Sequence, residues 1–278
     1  MRRALLAALL GCAVAAPSMA AVVYSTGFEP NEVSPGVYSP GDLVGQDGWD
    51  RFDTESLHVP PDPTPNVPIT VQTSTFKSGS QAVQIQNLAG VSSESTFAFR
   101  DFSVINPVSD GTPLVTVQWD MRVASGGIQN SHDWGVQMFD DNAATNLVAG
   151  AGLGVQPGGG GGTTLVGFSS DVNANTQSST DFGPGAPLDE FHTYTLTLDY
   201  AQHLYAIDLD GVRRALAPFD SSITTLGEVD FFENNRATDS AFFDNLSITT
   251  GTGLVPEPAS LGLLGLAGGM LMGRRRKA

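Results

Sequence analysis

The chain has 278 residues, with 13 Lys and Arg against 29 Asp and Glu, a formal charge of −16 at pH 7 and a single cysteine. So acidic a surface repels nucleic acid and anionic lipid, and one cysteine excludes an internal disulfide framework. Stability must come from a buried core, which 41% apolar residues can supply.

Residues 1–20 read as a secretory signal peptide: Arg2 and Arg3, an apolar run over 4–16, then the small residues Ser18 and Ala20 before a cleavage expected between Ala20 and Ala21. Export by the Sec machinery follows. Leu9-Leu10-Gly11-Cys12 has the outline of a lipoprotein cleavage box, but the apolar run before it is too short and apolar sequence continues to Ala16. Cleavage after Ala20 removes Cys12, so the exported protein carries no thiol although its compartment permits disulfides. Setting aside Arg2, Arg3, Arg274, Arg275, Arg276, Lys277 and Glu257 leaves 7 Lys and Arg against 28 Asp and Glu, a charge of −21, with Lys77 the only lysine. The excess of Asp over Glu in a Gly-rich exported chain suits Ca²⁺, a hard cation that takes oxygen ligands. Most of these aspartates are nonetheless ordinary solvated turn and surface residues.

Residues 21–250 form one domain of the size usual for a β-sandwich. Period-two alternation dominates and no amphipathic helix precedes the tail. Residues 21–29 open the domain with Val22, Tyr24, Thr26 and Phe28 on one parity. Residues 30–62 are rich in Pro, Gly and Asp and hold Gly45-Gln-Asp-Gly-Trp49, whose tryptophan is expected to plug the end of the core. Five prolines over 59–68 exclude a central strand and favour an extended loop. Strands are expected at 82–86 and 95–102. The clearest spans 114–123, where Val115, Val117, Trp119, Met121 and Val123 alternate with Thr116, Gln118, Asp120 and Arg122, giving one face for a core and a polar one open to ligand. Trp134, Val136 and Met138 repeat the pattern. Residues 158–162 are a five-glycine run, too flexible for a strand and lacking the Lys-Ser or Lys-Thr of a phosphate loop, so they read as a mobile loop near a sheet edge. Tyr194, Leu196, Leu198 and Tyr200 face one way and Thr193, Thr195, Thr197 and Asp199 the other. Tyr205, Ile207 and Leu209 begin a hairpin with a type I′ turn at Asp210-Gly211 leading into 212–216. The last strands are expected at 226–232 and 241–249, and 251–254 is a spacer.

Residues 255–278 join three unlike segments. Pro256, Glu257 and Pro258 make a stiff, exposed strap. Residues 259–273 are uncharged and about 22 Å long if helical, short against a hydrocarbon core of about 30 Å. Arg274, Arg275, Arg276 and Lys277 form a basic stop that stays cytoplasmic. The order resembles the PEP-CTERM sorting signal of exopolysaccharide-producing Gram-negative bacteria. The resemblance implies a short transmembrane helix that anchors the chain transiently in the inner membrane, cleavage near Pro256 to Pro258 by an exosortase, and delivery to the cell surface or matrix. An ordinary tail anchor is the alternative.

Thr26-Gly-Phe-Glu29, Gly45-Gln-Asp-Gly-Trp49, the Tyr-Thr-Leu-Thr-Leu-Asp run from Tyr194 and the closing Phe242-Phe-Asp-Asn-Leu-Ser-Ile248 together resemble the concanavalin A-like, laminin-G-like jelly rolls. That implies an all-β, two-sheet antiparallel jelly-roll sandwich with a concave face that binds glycan in relatives; a galactose-binding-like jelly roll is the runner-up. Within it, Glu228-Val-Asp-Phe-Phe-Glu233 resembles the carboxylate strand of laminarinase-like glycoside hydrolases. Carried over, Glu228 is nucleophile, Asp230 tunes it, and Glu233 is acid/base of a retaining hydrolysis, provided a bulge at the extra Phe brings Glu233 onto their face. Asn234-Asn-Arg-Ala departs from that motif, and one strand alone follows it where those enzymes place the motif mid-chain.

Asp244 shares parity with Phe242, Leu246 and Ile248, so its carboxylate is expected on the apolar side, where a charge must be paired or metal-bound. A structural Ca²⁺ held by Glu29 and Asp244, tying first strand to last, meets that need; an Asp capped by backbone N–H groups is the simpler alternative. His58, His132, His192 and His203 show no zinc-ligand spacing. The expectation is a surface-sorted, non-enzymatic sandwich that binds glycan or builds an extracellular polysaccharide matrix, with the hydrolase as its alternative.

Overall fold

The computed structural model describes residues 20–32, 37–53, 68–86, 96–125, 132–140, 146–155, 162–172, 176–234 and 240–252. The chain runs through β1 (Ala21–Thr26), β2 (Gly41–Asp42), β3 (Trp49–Asp53), β4 (Ile69–Gln72), β5 (Ala82–Gln86), β6 (Thr96–Ile105), β7 (Leu114–Val123) and β8 (His132–Phe139). It continues through β9 (Leu147–Val155), β10 (Thr163–Asp171), β11 (Thr176–Pro184), β12 (His192–Asp199), β13 (Leu204–Leu209), β14 (Val212–Pro218), β15 (Leu226–Asn234) and β16 (Ser240–Gly251). One sheet has the order β14-β13-β12-β7-β16-β5-β4-β2, with β1 also against β16; the other runs β11-β10-β9-β8-β15-β6-β3. Every pairing is antiparallel. The protein is an all-β sandwich of two antiparallel sheets, and the described residues include no helix.

The alternation seen in the sequence decides which face is buried. In the first sheet Val117 lies opposite Leu196 and Trp119 opposite Tyr194, all buried, while Thr116, Gln118, Thr195 and Thr197 turn outward. Trp134, Val136 and Met138 of β8 and Val229 and Phe231 of β15 face them from the second sheet. Phe231 stacks on Trp49 at 4.9 Å and on Phe243 at 4.5 Å, so an aromatic column crosses from one sheet to the other. Trp49 does plug the core. Its indole N–H donates to the Tyr38 hydroxyl at 3.1 Å, and Tyr24 and Tyr38 donate to Asp47 at 3.1 and 3.0 Å, which satisfies the buried polar tips.

Asp210 and Gly211 both have positive φ, 51° and 75°, as the expected type I′ hairpin requires. The sequence pattern does not announce β9, β10 or β11. β9 is buried on both faces with Gly150, Gly152 and Gly154 at alternate positions, which erases the polar half of the pattern. β11 is an edge strand of Thr, Gln and Ser, exposed over most of its length. The signal peptide up to residue 19, most of the five-glycine run, His58 and the tail from 253 lie outside the described residues. Among the described residues no helix is long and apolar enough to cross a membrane; the expected one, 259–273, lies beyond them.

Candidate functional site

Strand β15 lies at the middle of the second sheet, between β8 and β6. Val229 and Phe231 enter the core, so Glu228, Asp230 and Phe232 stand on the opposite, outer face. Register supplies their neighbours. Glu228 is opposite Asp101 on one side and Phe139 on the other; Asp230 is opposite Phe99 and Gln137; Phe232 is opposite Phe97 and Gly135. Phe139, Leu147, Val166, Phe168 and Phe232 form a second apolar cluster on this face, itself buried, with Phe232 fully covered. Phe168 and Phe232 meet edge to face at 5.0 Å although β8 and β9 lie between their strands, a backbone separation of about 14 Å at about 4.8 Å per strand. Glycines allow this. A Cβ on Gly135 would lie 2.9 Å from the Phe232 ring, and one on Gly152 would lie 2.0 Å from the Trp134 carbonyl oxygen.

Beside this apolar patch the carboxyls crowd one another. Burial pushes Glu228 up to about 7, helped by its hydrogen bond to Asp101 and by the Asp101 charge. Burial, then the charge of Glu228 and a hydrogen bond to it, hold Asp230 well above the ordinary carboxylate range. Glu228 and Asp230 cannot both ionise cheaply so close together, and the pair retains a proton near neutrality. Asp230 is 5% exposed and its Oδ1 has no hydrogen-bond partner.

The expected bulge at the extra Phe is absent. Register between β15 and β8 is unbroken from Glu228 to Asn234, so parity carries Glu233 to the inner face, opposite Trp134 and Thr96. The structure brings Glu228 and Asp230 together and separates Glu233 from them. Asp101 and Gln137, which sequence reasoning missed, are the neighbours actually provided. Asp101 lies inside an expected strand, but only register reveals what it faces.

A second acidic group sits where β1, β16 and the loop of residues 73–81 meet. Asp244 Oδ2 accepts hydrogen bonds from the N–H groups of Lys77 and Ser78 at 2.8 and 3.0 Å, and its Oδ1 from that of Asn245 at 2.8 Å. Glu29 Oε1 accepts from Ser80 N–H at 2.8 Å and Gln81 N–H at 3.2 Å, while the Ser80 hydroxyl donates to Oε2 at 2.6 Å. Glu29 and Asp244 thus both accept backbone N–H groups of one loop. Burial, countered by the loop N–H bonds and reinforced by Asp120, raises Asp244 to about 6. Its parity differs from the sequence expectation. Asn245 has φ 51° and the register slips between Asp244 and Ser247, so Asp244 keeps to the side of Phe242 while Leu246 and Ile248 return to the core. Phe28, one residue before Glu29, has φ 60°, strained for a bulky side chain and held by contacts with Tyr38, Trp49 and Phe231.

The polar face of β7 has its charges engaged: Asp120 takes hydrogen bonds from Thr193 and Asn245, and Arg122 lies 3.5 Å from Asp189. His192 Nδ1 is 2.8 Å from Asp210, His132 is buried edge-on to Trp134, and His203 lies against Phe219. Among the described residues no three His, Cys, Asp or Glu side chains are grouped to hold a metal ion. Ala20 is exposed and Ala21 opens β1, whereas Pro256, Glu257, Pro258 and the basic stop at Arg274, Arg275, Arg276 and Lys277 lie outside the described residues.

No family model and no curated protein matches the chain. Among solved structures it is similar to a conserved carbohydrate esterase of Shiga toxin-encoding bacteriophage phi24B, at 14% identity and TM-score 0.53, covering 84% of this chain and 100% of that one. It is also similar to a sialidase (10% identity, TM-score 0.46, 77% of this chain but 18% of that one) and to the cellulose-induced protein Cip1 (13%, 0.45, 77% and 97%). At such identities the likeness is one of fold alone.

Proposed function

We propose that the chain is an exported, surface-sorted, non-enzymatic β-sandwich of the concanavalin A-like jelly-roll type that binds glycan within an extracellular polysaccharide matrix, using the outer face of the second sheet. The observation that carries this is the outer face where β6 meets β15: exposed Asp101 and half-buried Phe97 and Phe99 flank Glu228 and Asp230, so acceptors for sugar hydroxyls stand beside rings that solvent reaches. The hydrolase alternative requires Glu233 to flank the same bond as Glu228, and Glu233 faces the other way. A glycan array probed with the purified exported protein tests the reading. Retention of at least one polysaccharide, weakened when Phe99 and Glu228 are replaced by Ala, is expected; release of reducing sugar that stops in Glu228→Gln would establish the hydrolase instead.

Export through the Sec machinery, transient residence in the inner membrane of a Gram-negative bacterium and cutting by an exosortase rest on the order of segments in 1–20 and 255–278. A structural Ca²⁺ between Glu29 and Asp244 belongs to the same proposal. Both carboxylates converge on one loop, and each oxygen that accepts an N–H keeps lone-pair density for a cation. Adding Ca²⁺ is expected to raise the melting temperature, because a ligand of the folded state alone contributes about 2.7 kcal/mol at a hundredfold excess over its Kd. Asp244→Ala should abolish the rise. Identical melting in Ca²⁺ and in chelator would assign the two carboxylates to the loop amides alone.

A further inference from the structure

The outer face of the second sheet has a one-sided charge pattern. Its strands present Asp50, Asp101, Asp133, Asp181, Glu228 and Asp230 on that face, and among the described strand residues no Lys, Arg or His. The nearby arginine of β6 is turned away: Arg100 lies 4.2 Å from the Tyr24 ring centre and pairs with Asp47 at 3.3 Å, on the core side. Within this field Asp230 is 5% exposed and its Oδ1 is unpartnered. A buried acceptor without a donor is destabilising, and a hydroxyl that reaches it removes that cost. An arriving carboxylate brings no donor and adds a like charge to acids that already suppress one another's ionisation.

We propose that this face takes uncharged polysaccharide, with exposed Asp101 and its buried neighbour Asp230 accepting sugar hydroxyls beside the half-buried Phe99 ring, and that it rejects uronate-bearing chains. This rests on the glycan-binding reading above and adds the substrate class. Asp230 acts here through its carbonyl-like oxygen, the form a carboxyl offers while it keeps its proton, with Glu228 as the hydrogen-bonded neighbour. The charged groups facing it are Glu228 on its own strand and Asp101 on β6; across β8 it meets the uncharged Gln137.

The test measures retention of the full exported protein on dextran, galactomannan and xyloglucan against alginate and polygalacturonate, at one ionic strength and pH 6. Binding to at least one neutral polymer, at least tenfold tighter than to either uronate polymer, is expected. Asp230→Asn keeps the carbonyl oxygen and should bind within about threefold of the parent, whereas Asp230→Leu, of similar size but without an acceptor, should lose at least tenfold while its melting temperature does not fall. Uronate polymers held as tightly as neutral ones, or Asp230→Leu binding like the parent, would overturn the neutral-substrate proposal and leave glycan binding standing. No retention of any polymer, neutral or acidic, would overturn both.

Discussion

Taking the protein from pH 8 to pH 5 should raise its melting temperature, the reverse of what an acidic protein rich in exposed salt bridges would do. Glu228 moves from an ordinary 4.5 to about 7, Asp244 from 3.8 to about 6, and burial also raises Asp133 and Asp230. A carboxyl whose folded pKa lies above its unfolded value binds more protons in the folded state between the two. Its stabilising contribution is therefore complete below about pH 4 and is lost as pH rises through about 6 for Asp244 and about 7 for Glu228. At about 1.4 kcal/mol per unit these shifts are worth a few kcal/mol, or about 5–10 °C for a domain of this size. Asp189 and Asp220, held low by hydrogen bonds from Ser125 and Ser222, work in the opposite sense, but Asp189 is exposed and Asp220 partly so, and solvent screens both. The double variant Glu228→Gln, Asp230→Asn removes the charges that burial penalises, so it should melt higher than the parent at pH 8 and show a flatter profile. A parent curve that falls steadily from pH 8 to pH 5 would show that these carboxyls are not buried as described. The expected gain on removing them is what a binding site predicts, since groups placed for a ligand are strained without it.

The second large effect concerns the fate of the chain. If the tail is a processed sorting signal, mature protein at the cell surface ends near Val255 to Pro258 and lacks Arg274, Arg275, Arg276 and Lys277. Replacing Pro256, Glu257 and Pro258 by Ala leaves apolar length and positive-inside charge untouched, so the chain should still insert but accumulate uncut at the inner membrane. Replacing Arg274, Arg275 and Arg276 by Glu should instead weaken retention and let uncut chain escape. Intact-mass spectrometry of surface material decides between them, and a mature form that still carries residues 261–278 would mean a permanent anchor.

Alternation of apolar and polar side chains makes much of the sandwich legible in the sequence. Leu114–Val123 and Ala82–Gln86 coincide with the expected strands because each has one face in the core and contrast along its length. β9 defeats the same reading, since glycines replace the polar positions where a Cβ at Gly150 or Gly152 would strike the backbone of β8. The candidate site is half legible. Glu228 and Asp230 share a face by simple parity, and parity also places Glu233, since the bulge expected before it is absent; parity misplaces Asp244, because a bulge that nothing in the local pattern signals follows it. Asp101 and Gln137 belong to the site only through pairing between segments far apart in the chain, which no local pattern encodes.

The placement of β16 sets how the protein bears load. Ala21 pairs with Thr250, so the first strand and the exit of the last lie side by side at one end of the sandwich. β16 is an interior strand, flanked by β7 along its length and by β5 and then β1 on the other edge. A tether leaving Gly251 thus pulls lengthwise on the strand with the most neighbours. Its hydrogen bonds must slide and fail together in shear, where an edge strand such as β14 or β11 would unzip one bond at a time. Were the chain held by its carboxyl end, extension would meet its strongest seam first.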